Sequence, residues 1–229
     1  MRFNADFDRR VLLHADEIEW TPSPMAGVDR RPLDRIGEEV ARATSLVRYA
    51  PDSKFSAHVH GGGEEFVVLE GVFSDEHGDF PAGSYIRNPP TSRHSPRSAP
   101  GCVIFVKLWQ MDPEDRTHVR VATDKLGAVA DAARPGVSVS PLFRDAREEV
   151  RIEAWAAGAS HPLDTAGGAE LLVLAGGGEA EGEALREGAW LRVPDGEAAR
   201  LTAGPAGLRV WLKTGHLRHV GAPGGAEAA

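Results

Sequence analysis

The sequence predicts an all-β fold made of two tandem copies of one β-unit, and three observations carry that prediction. Short runs of Val, Ile, Leu and aromatic residues are punctuated by Gly, Pro and Asp at close spacing, the pattern of a sandwich or barrel. Extended helical periodicity is scarce. The chain also repeats itself: Glu65-Phe-Val-Val-Leu-Glu-Gly71 returns 105 residues later as Glu170-Leu-Leu-Val-Leu-Ala-Gly176. The same offset carries Pro81-Ala-Gly83-Ser-Tyr-Ile-Arg-Asn-Pro89 onto Arg186-Glu-Gly188-Ala-Trp-Leu-Arg-Val-Pro194, and Val47 onto Ile152. One residue more aligns Phe105-Val-Lys107 with Trp211-Leu-Lys213. Each unit is too long for a solenoid repeat, so two complete β-domains follow.

Taken in order, residues 1–44 are polar and broken by Thr21-Pro-Ser-Pro24 and Arg31-Pro32. They read as an N-terminal arm whose edge strands are Val11–Leu13 and Ile18–Trp20, with a short turn of helix from Arg35 to Ala43. Residues 45–115 form the first barrel. Its clearest strands are Glu65–Leu69 and Val103–Trp109. A connector spans 116–145, with a second helical candidate at Leu126–Ala133. Residues 146–220 form the second barrel. The tail 221–229 is rich in Gly and Ala, has nothing to bury, and is expected to be disordered. The short connector favours two stacked barrels in one unit. Open barrel edges invite strand pairing, so a homodimer is expected.

Composition narrows the function. The formal net charge is −8, which argues against a nucleic-acid-binding surface. There is one cysteine, Cys102, which excludes an internal disulfide and any multi-cysteine zinc module. It sits in an apolar run, where a buried inert thiol is expected. No early apolar segment and no run of eighteen apolar residues occurs, so no membrane association and a cytoplasmic location are expected.

Chemistry concentrates in His58-Val-His60-Gly-Gly-Gly-Glu64. Side chains alternate along a strand, so His58 and His60 point to the same face. The glycines permit a tight turn that leads to a carboxylate. His94 lies in the proline-rich segment Asn88-Pro-Pro-Thr-Ser-Arg-His94, which could return the chain to the same place. Imidazole and carboxylate together suit one divalent transition metal: zinc, iron, nickel or manganese. Glu65 neighbours Glu64 but should face away on the alternating strand, although the glycine run could shift that register. His77 reads as an exposed loop residue, and His14, His118, His216 and His219 as surface residues.

These residues resemble a known family. His58-x-His60-x3-Glu64-x6-Gly71 is similar to the first motif of the cupins, and Gly83-x5-Pro89-x-Thr91-x2-His94 to the second, with Thr91 where that motif has glycine. The wording from Glu70-Gly71 to Asp79, followed by Pro81-Ala-Gly83 and Arg87-Asn-Pro-Pro90, resembles the ChrR-type cupins, including the cupin part of anti-sigma factors of that name. The resemblance implies tandem double-stranded β-helix barrels, a bicupin, with metal ligands His58, His60, Glu64 and His94. The second copy has lost the site: the 105-residue offset puts Ala169 at Glu64 and Ala199 at His94, with only His161 near the histidine pair.

A small molecule is the expected partner. Phe66, Phe105 and Trp109 are candidates for apolar walls, and Tyr85 and Arg87 for polar handles. Two functions compete: a mononuclear non-haem dioxygenase-like enzyme acting on a small oxygenated compound, and a metal-dependent sensor of small molecules or oxidants. The H-x3-C-x2-C zinc motif that the sigma-binding region of the resembled anti-sigma factors carries has no counterpart here, which disfavours direct sigma-factor binding.

Overall fold

In a computed structural model, residues 1–38 and 40–223 are described; most of the expected 221–229 tail lies outside them. Among the described residues the chain is all-β, and the helical elements are three 3-10 turns at Ala15–Glu17, Thr123–Lys125 and His216–His219. It divides into two compact units, residues 1–5 with 18–125, and residues 6–17 with 126–220.

The first unit is organised on a sheet whose central strands are Val28–Gly37, Ala41–Tyr49, Cys102–Leu108, Glu64–Asp75 and Ser84–Asn88, paired antiparallel in that spatial order. Alternation fixes the interior. Val28, Val47, Phe66, Val68, Phe73, Ile86, Cys102, Ile104 and Val106 form one buried cluster. Each such side chain contributes about 1.5–3 kcal/mol on leaving water. Burial pushes the Cys102 thiol up to about 11, so it packs as a small hydrophobe, although a Ser98 hydrogen bond works the other way.

The helix expected at Arg35–Ala43 is absent. That stretch instead falls in the hairpin of Val28–Gly37 and Ala41–Tyr49, which pair from Val28↔Tyr49 to Gly37↔Ala41. Gly37 takes φ +122°, a conformation that ends a strand and that helices do not use. Leu126–Ala133 is not helical either; Gly127 interrupts it, and Val129–Ala130 pairs with Ser138 and Val139. Ile18–Trp20 forms no strand.

The second unit has the same plan: Val137–Arg144, Glu149–Trp155, Arg200–Thr214, Ala169–Ala180 and Ala189–Val193, in that spatial order. Its last neighbour is Val11–His14, which pairs with Ala189–Arg192. In the first unit the matching place beside Ser84–Arg87 is taken by Val119–Ala122. Each of these strands runs into a 3-10 turn, Ala15–Glu17 or Thr123–Lys125. The repeat therefore starts at Val11 and Val119, and each copy's first strand pairs with the other copy's Ser84–Arg87 or Ala189–Arg192 strand. Among the described residues no helix is long and apolar enough to cross a membrane.

Candidate metal centre

Four side chains of the first unit converge. One ligand atom from each of His58, His60, Glu64 and His94 lies within 4.8 Å of the other three. Strand pairing explains the convergence. His58–Val59 pairs with Arg93–His94 so that His58 stands opposite His94, and Glu64 pairs with Asn88. The return of the chain is clamped by backbone hydrogen bonds from His60 N to Ser92 O (2.9 Å) and from Thr91 N to His60 O (2.9 Å).

The intervening glycines are needed for space. The Trp109 indole lies against Gly61 and Gly62, where an added Cβ would sit 2.6 and 2.4 Å from ring carbons. Gly63 takes φ +78°, and a Cβ there would meet the Met111 sulfur.

Hydrogen bonds orient the three rings. His58 Nδ1 donates to Ser56 O at 3.2 Å, His60 Nδ1 is 3.0 Å from Ser92 Oγ, and His94 Nδ1 donates to Asp75 Oδ2 at 3.2 Å. With Nδ1 engaged in each ring, Nε2 is the nitrogen left for a metal. His60 Nε2 and His94 Nε2 are buried, make no hydrogen bond, and lie 3.4 and 3.5 Å from Glu64 Oε2. Asn88 Nδ2 donates to the same oxygen at 3.2 Å. Buried nitrogens with no partner are costly, and a bound cation would satisfy them. The donor set fits a divalent transition metal.

The charges differ across the cluster. Burial lowers the His60 pKa, and the neighbouring imidazoles add to that against the pull of Glu64. Burial would lower His94 too, but the hydrogen bond it donates to Asp75 and the Glu64 charge outweigh it, and its pKa is raised. Burial of Asp75 opposes ionisation, yet the His94 hydrogen bond and the His77 backbone N–H hold its carboxyl below the usual range.

A cavity of about 370 Å³ opens beside the cluster, lined by His58, His60 and Glu64 and walled by apolar side chains that include Val28, Val47, Ile104, Val106 and Leu108. Trp109 lines it as expected. Phe66 packs in the core cluster instead. Tyr85, Arg87 and Phe105 do not reach the cavity, because strand alternation turns them to the opposite face. There Tyr85 Oη donates to Glu65 Oε1 at 2.5 Å, and Arg87 pairs with Glu65 and Asp115. Glu65 thus faces away from the cluster and Glu64 into it. His77 is exposed, with its backbone N–H bonded to Asp75.

Asp75 and Asn88 complete the centre and escaped the motif reading. The internal repeat could have found them. At the same offset, Glu64, Asp75, Asn88 and His94 correspond to Ala169, Ala180, Val193 and Ala199, and His58 to Leu163, all five packed in the second unit's apolar core. His161 there bonds Pro135 O and stacks near Trp155. The apolar lining of the cavity is what sets the first unit apart, because the matching pocket of the second unit, about 390 Å³, is lined by Asp131, Arg134, Glu149, Arg151 and Asp164. Ala43, Ser45 and Val47 stand opposite Leu108, Val106 and Ile104, whereas the matching strand of the second unit places Glu149, Arg151 and Glu153 opposite Thr214, Leu212 and Val210. Those long side chains pair with one another and with Arg134, giving a charged lining where the first unit has small residues. His216, expected at the surface, is buried 3.1 Å from Glu170.

Comparison with known proteins agrees with this geometry. Residues 8–112 match the ChrR Cupin-like domain family. Among solved structures, a Nostoc punctiforme protein with a provisional dioxygenase assignment shares 14% identity at a TM-score of 0.78, covering 93% of this chain and 85% of that one. The Escherichia coli protein YlbA shares 17% identity at TM-score 0.69, covering 91% of each chain. The nickel(II) complex of the E. coli pirin YhhW shares 15% identity at TM-score 0.65, covering 90% of this chain and 98% of that one. At such identities the likeness establishes the fold. No curated protein matches the chain in sequence.

Proposed function

We propose, from the match of residues 8–112 to the ChrR Cupin-like domain family, that the protein is a mononuclear metal-dependent enzyme, dioxygenase-like, acting on a small oxygenated compound. The observation that carries the reading is the junction of the His58–His60–Glu64–His94 cluster with an apolar cavity of about 370 Å³. That volume lies within the range of small-molecule sites.

His60 and His94 would offer Nε2, His58 its free ring nitrogen and Glu64 a carboxylate oxygen. A divalent metal held by them would supply a Lewis acid for a small molecule in the cavity. The chain's own groups do the rest. Asp75 keeps the proton of His94 on Nδ1 and so presents Nε2 to the centre. Asn88 restrains Glu64 by donating to Oε2. Trp109 and the aliphatic walls give the cluster an apolar surround on the cavity side.

The test is anaerobic purification, loading with iron(II), and an oxygen-uptake screen across β-dicarbonyls and hydroxyketones. Uptake with one of them supports the enzyme reading. Absence of uptake with iron bound, together with a zinc form that uses all four protein ligands, favours a metal-dependent sensor, the reading to which the ChrR family name points.

A further inference from the structure

The strand Val28–Gly37, paired with Ala41–Tyr49 in the cavity wall, carries two arginines that the sequence pattern alone would place on opposite faces. Arg30 and Arg35 both line the cavity. They are an odd number of residues apart, so regular alternation would separate them. A β-bulge between Pro32 and Asp34 absorbs the difference, so that Arg30 pairs with Val47 and Arg35 with Ala43, two residues of the cavity wall.

Their charges are poorly compensated. Arg48, on the outer face, is neutralised by Asp29 at 2.7 Å. Among the described residues Arg30 makes no ion pair, and Arg35 donates to the backbone carbonyl of Glu38. Burial together with the Arg30 charge lowers the Arg35 pKa, against the pull of the Glu38 carboxylate. Glu64, within the metal cluster, is the cavity's acidic lining residue.

The second unit shows what is missing. It has the same bulge, between Pro141 and Phe143, in the strand that matches Val28–Gly37. There Val139 stands where the first unit has Arg30, and Arg144 where it has Arg35. Arg144 faces Glu149 and pairs with it at 3.9 Å. The counterpart of Glu149 is Ala43. The unit with the metal cluster thus has one arginine more and lacks the cross-strand carboxylate that Glu149 supplies to Arg144, with Glu38 alone acting on Arg35.

We propose that the cavity takes a small organic carboxylate with an apolar body, its carboxylate held by Arg30 and Arg35 and its other end turned to the His–Glu cluster. This inference rests on the reading of the cavity as a substrate site and specifies the substrate class. Guanidinium pairs suit carboxylates because their donors match both oxygens. The aliphatic walls accept the body of the molecule.

The test is calorimetric titration of the zinc-loaded full chain with hexanoate and with hexanamide, which share size and shape but differ in charge. Hexanoate should bind at least about tenfold more tightly. The Arg30→Gln/Arg35→Gln variant should lose the preference with metal content unchanged, and Ala43→Glu, which restores the second unit's carboxylate, should weaken it. Equal affinity for the two probes, no binding of either, or a preference that survives in Arg30→Gln/Arg35→Gln would overturn the proposal. The His58→Ala/His60→Ala variant should keep the preference. Failure to load metal or to consume oxygen therefore bears on the enzyme reading and leaves this one separately readable.

Discussion

Asp75 Oδ2 stands 3.2 Å from Nδ1 of His94, and both side chains are buried. This contact fixes which nitrogen of His94 faces Glu64 and adds electron density to the ring. Carboxylate partners of ligating histidines typically change metal affinity by about 10–100-fold. Asp75→Asn should therefore weaken zinc binding toward the lower end of that range, and Asp75→Ala toward the upper end, measured by competition with a chelator of known affinity. Affinity unchanged in both would show that Asp75 is only a packing residue.

The same contact sets a pH dependence. The His94 pKa is raised in the folded chain, so its proton persists above the ordinary histidine value of about 6.5. Metal must displace that proton, and its affinity should rise with pH through this window, by up to about tenfold per unit for one proton released. In the metal-free protein the sign is opposite: stability from the protonated His94–Asp75 pair is present below the unfolded pKa and is lost as pH rises through the folded one. Asp75→Asn should shift the metal-binding curve to lower pH. Titration in buffers of different ionisation enthalpy counts the proton; zero protons released would contradict the assignment.

Thr91 adopts φ +72° and Gly196, its counterpart 105 residues later, φ +74°. Both N–H groups close the same turn, Thr91 onto His60 O and Gly196 onto Thr165 O. A β-branched residue is strained there by about 1–2 kcal/mol. Thr91→Gly should raise the thermal midpoint by a few degrees, since the added unfolded-state entropy of glycine offsets part of that strain. Gly196→Thr should lower it, for backbone reasons alone, because a Cβ at Gly196 meets nothing within 4 Å. Thermal melts of both variants decide the matter. No change in either would remove strain from the account.

Gly62→Ala should be damaging. Its Cβ would lie 2.4 Å from Trp109 ring carbons and 2.8 Å from the Trp109 Cα, so the indole or the ligand loop must move. Overpacking of this kind costs about 1–3 kcal/mol. Metal affinity should fall along with stability, because His60 and Glu64 flank the glycines. A variant with wild-type zinc affinity would mean the loop tolerates the shift.

These residues also show what could be read from the chain. The repeat was visible because Gly71 and Gly176, and Gly83 and Gly188, all require positive φ and so keep their spacing. The start of each repeat was missed because Val11–His14 and Val119–Ala122 are half-buried strands in polar surroundings, each paired with a strand of the other sequence repeat. The ligands were legible because motif spacing and strand alternation agree on Glu64 over Glu65. The cavity wall was not. Tyr85, Arg87 and Phe105 alternate away from it, while a bulge that no single residue announces turns Arg35 toward it.

The central claim is that His58, His60, Glu64 and His94 hold one metal ion, and elemental analysis tests it most directly. Wild-type protein and the His58→Ala/His60→Ala variant, purified side by side and shown to be folded by circular dichroism, are compared after loading with zinc and removal of excess. The wild type should retain about one equivalent per chain and the variant close to none, since two of four ligands are gone. Equal metal content in the two proteins would contradict the account.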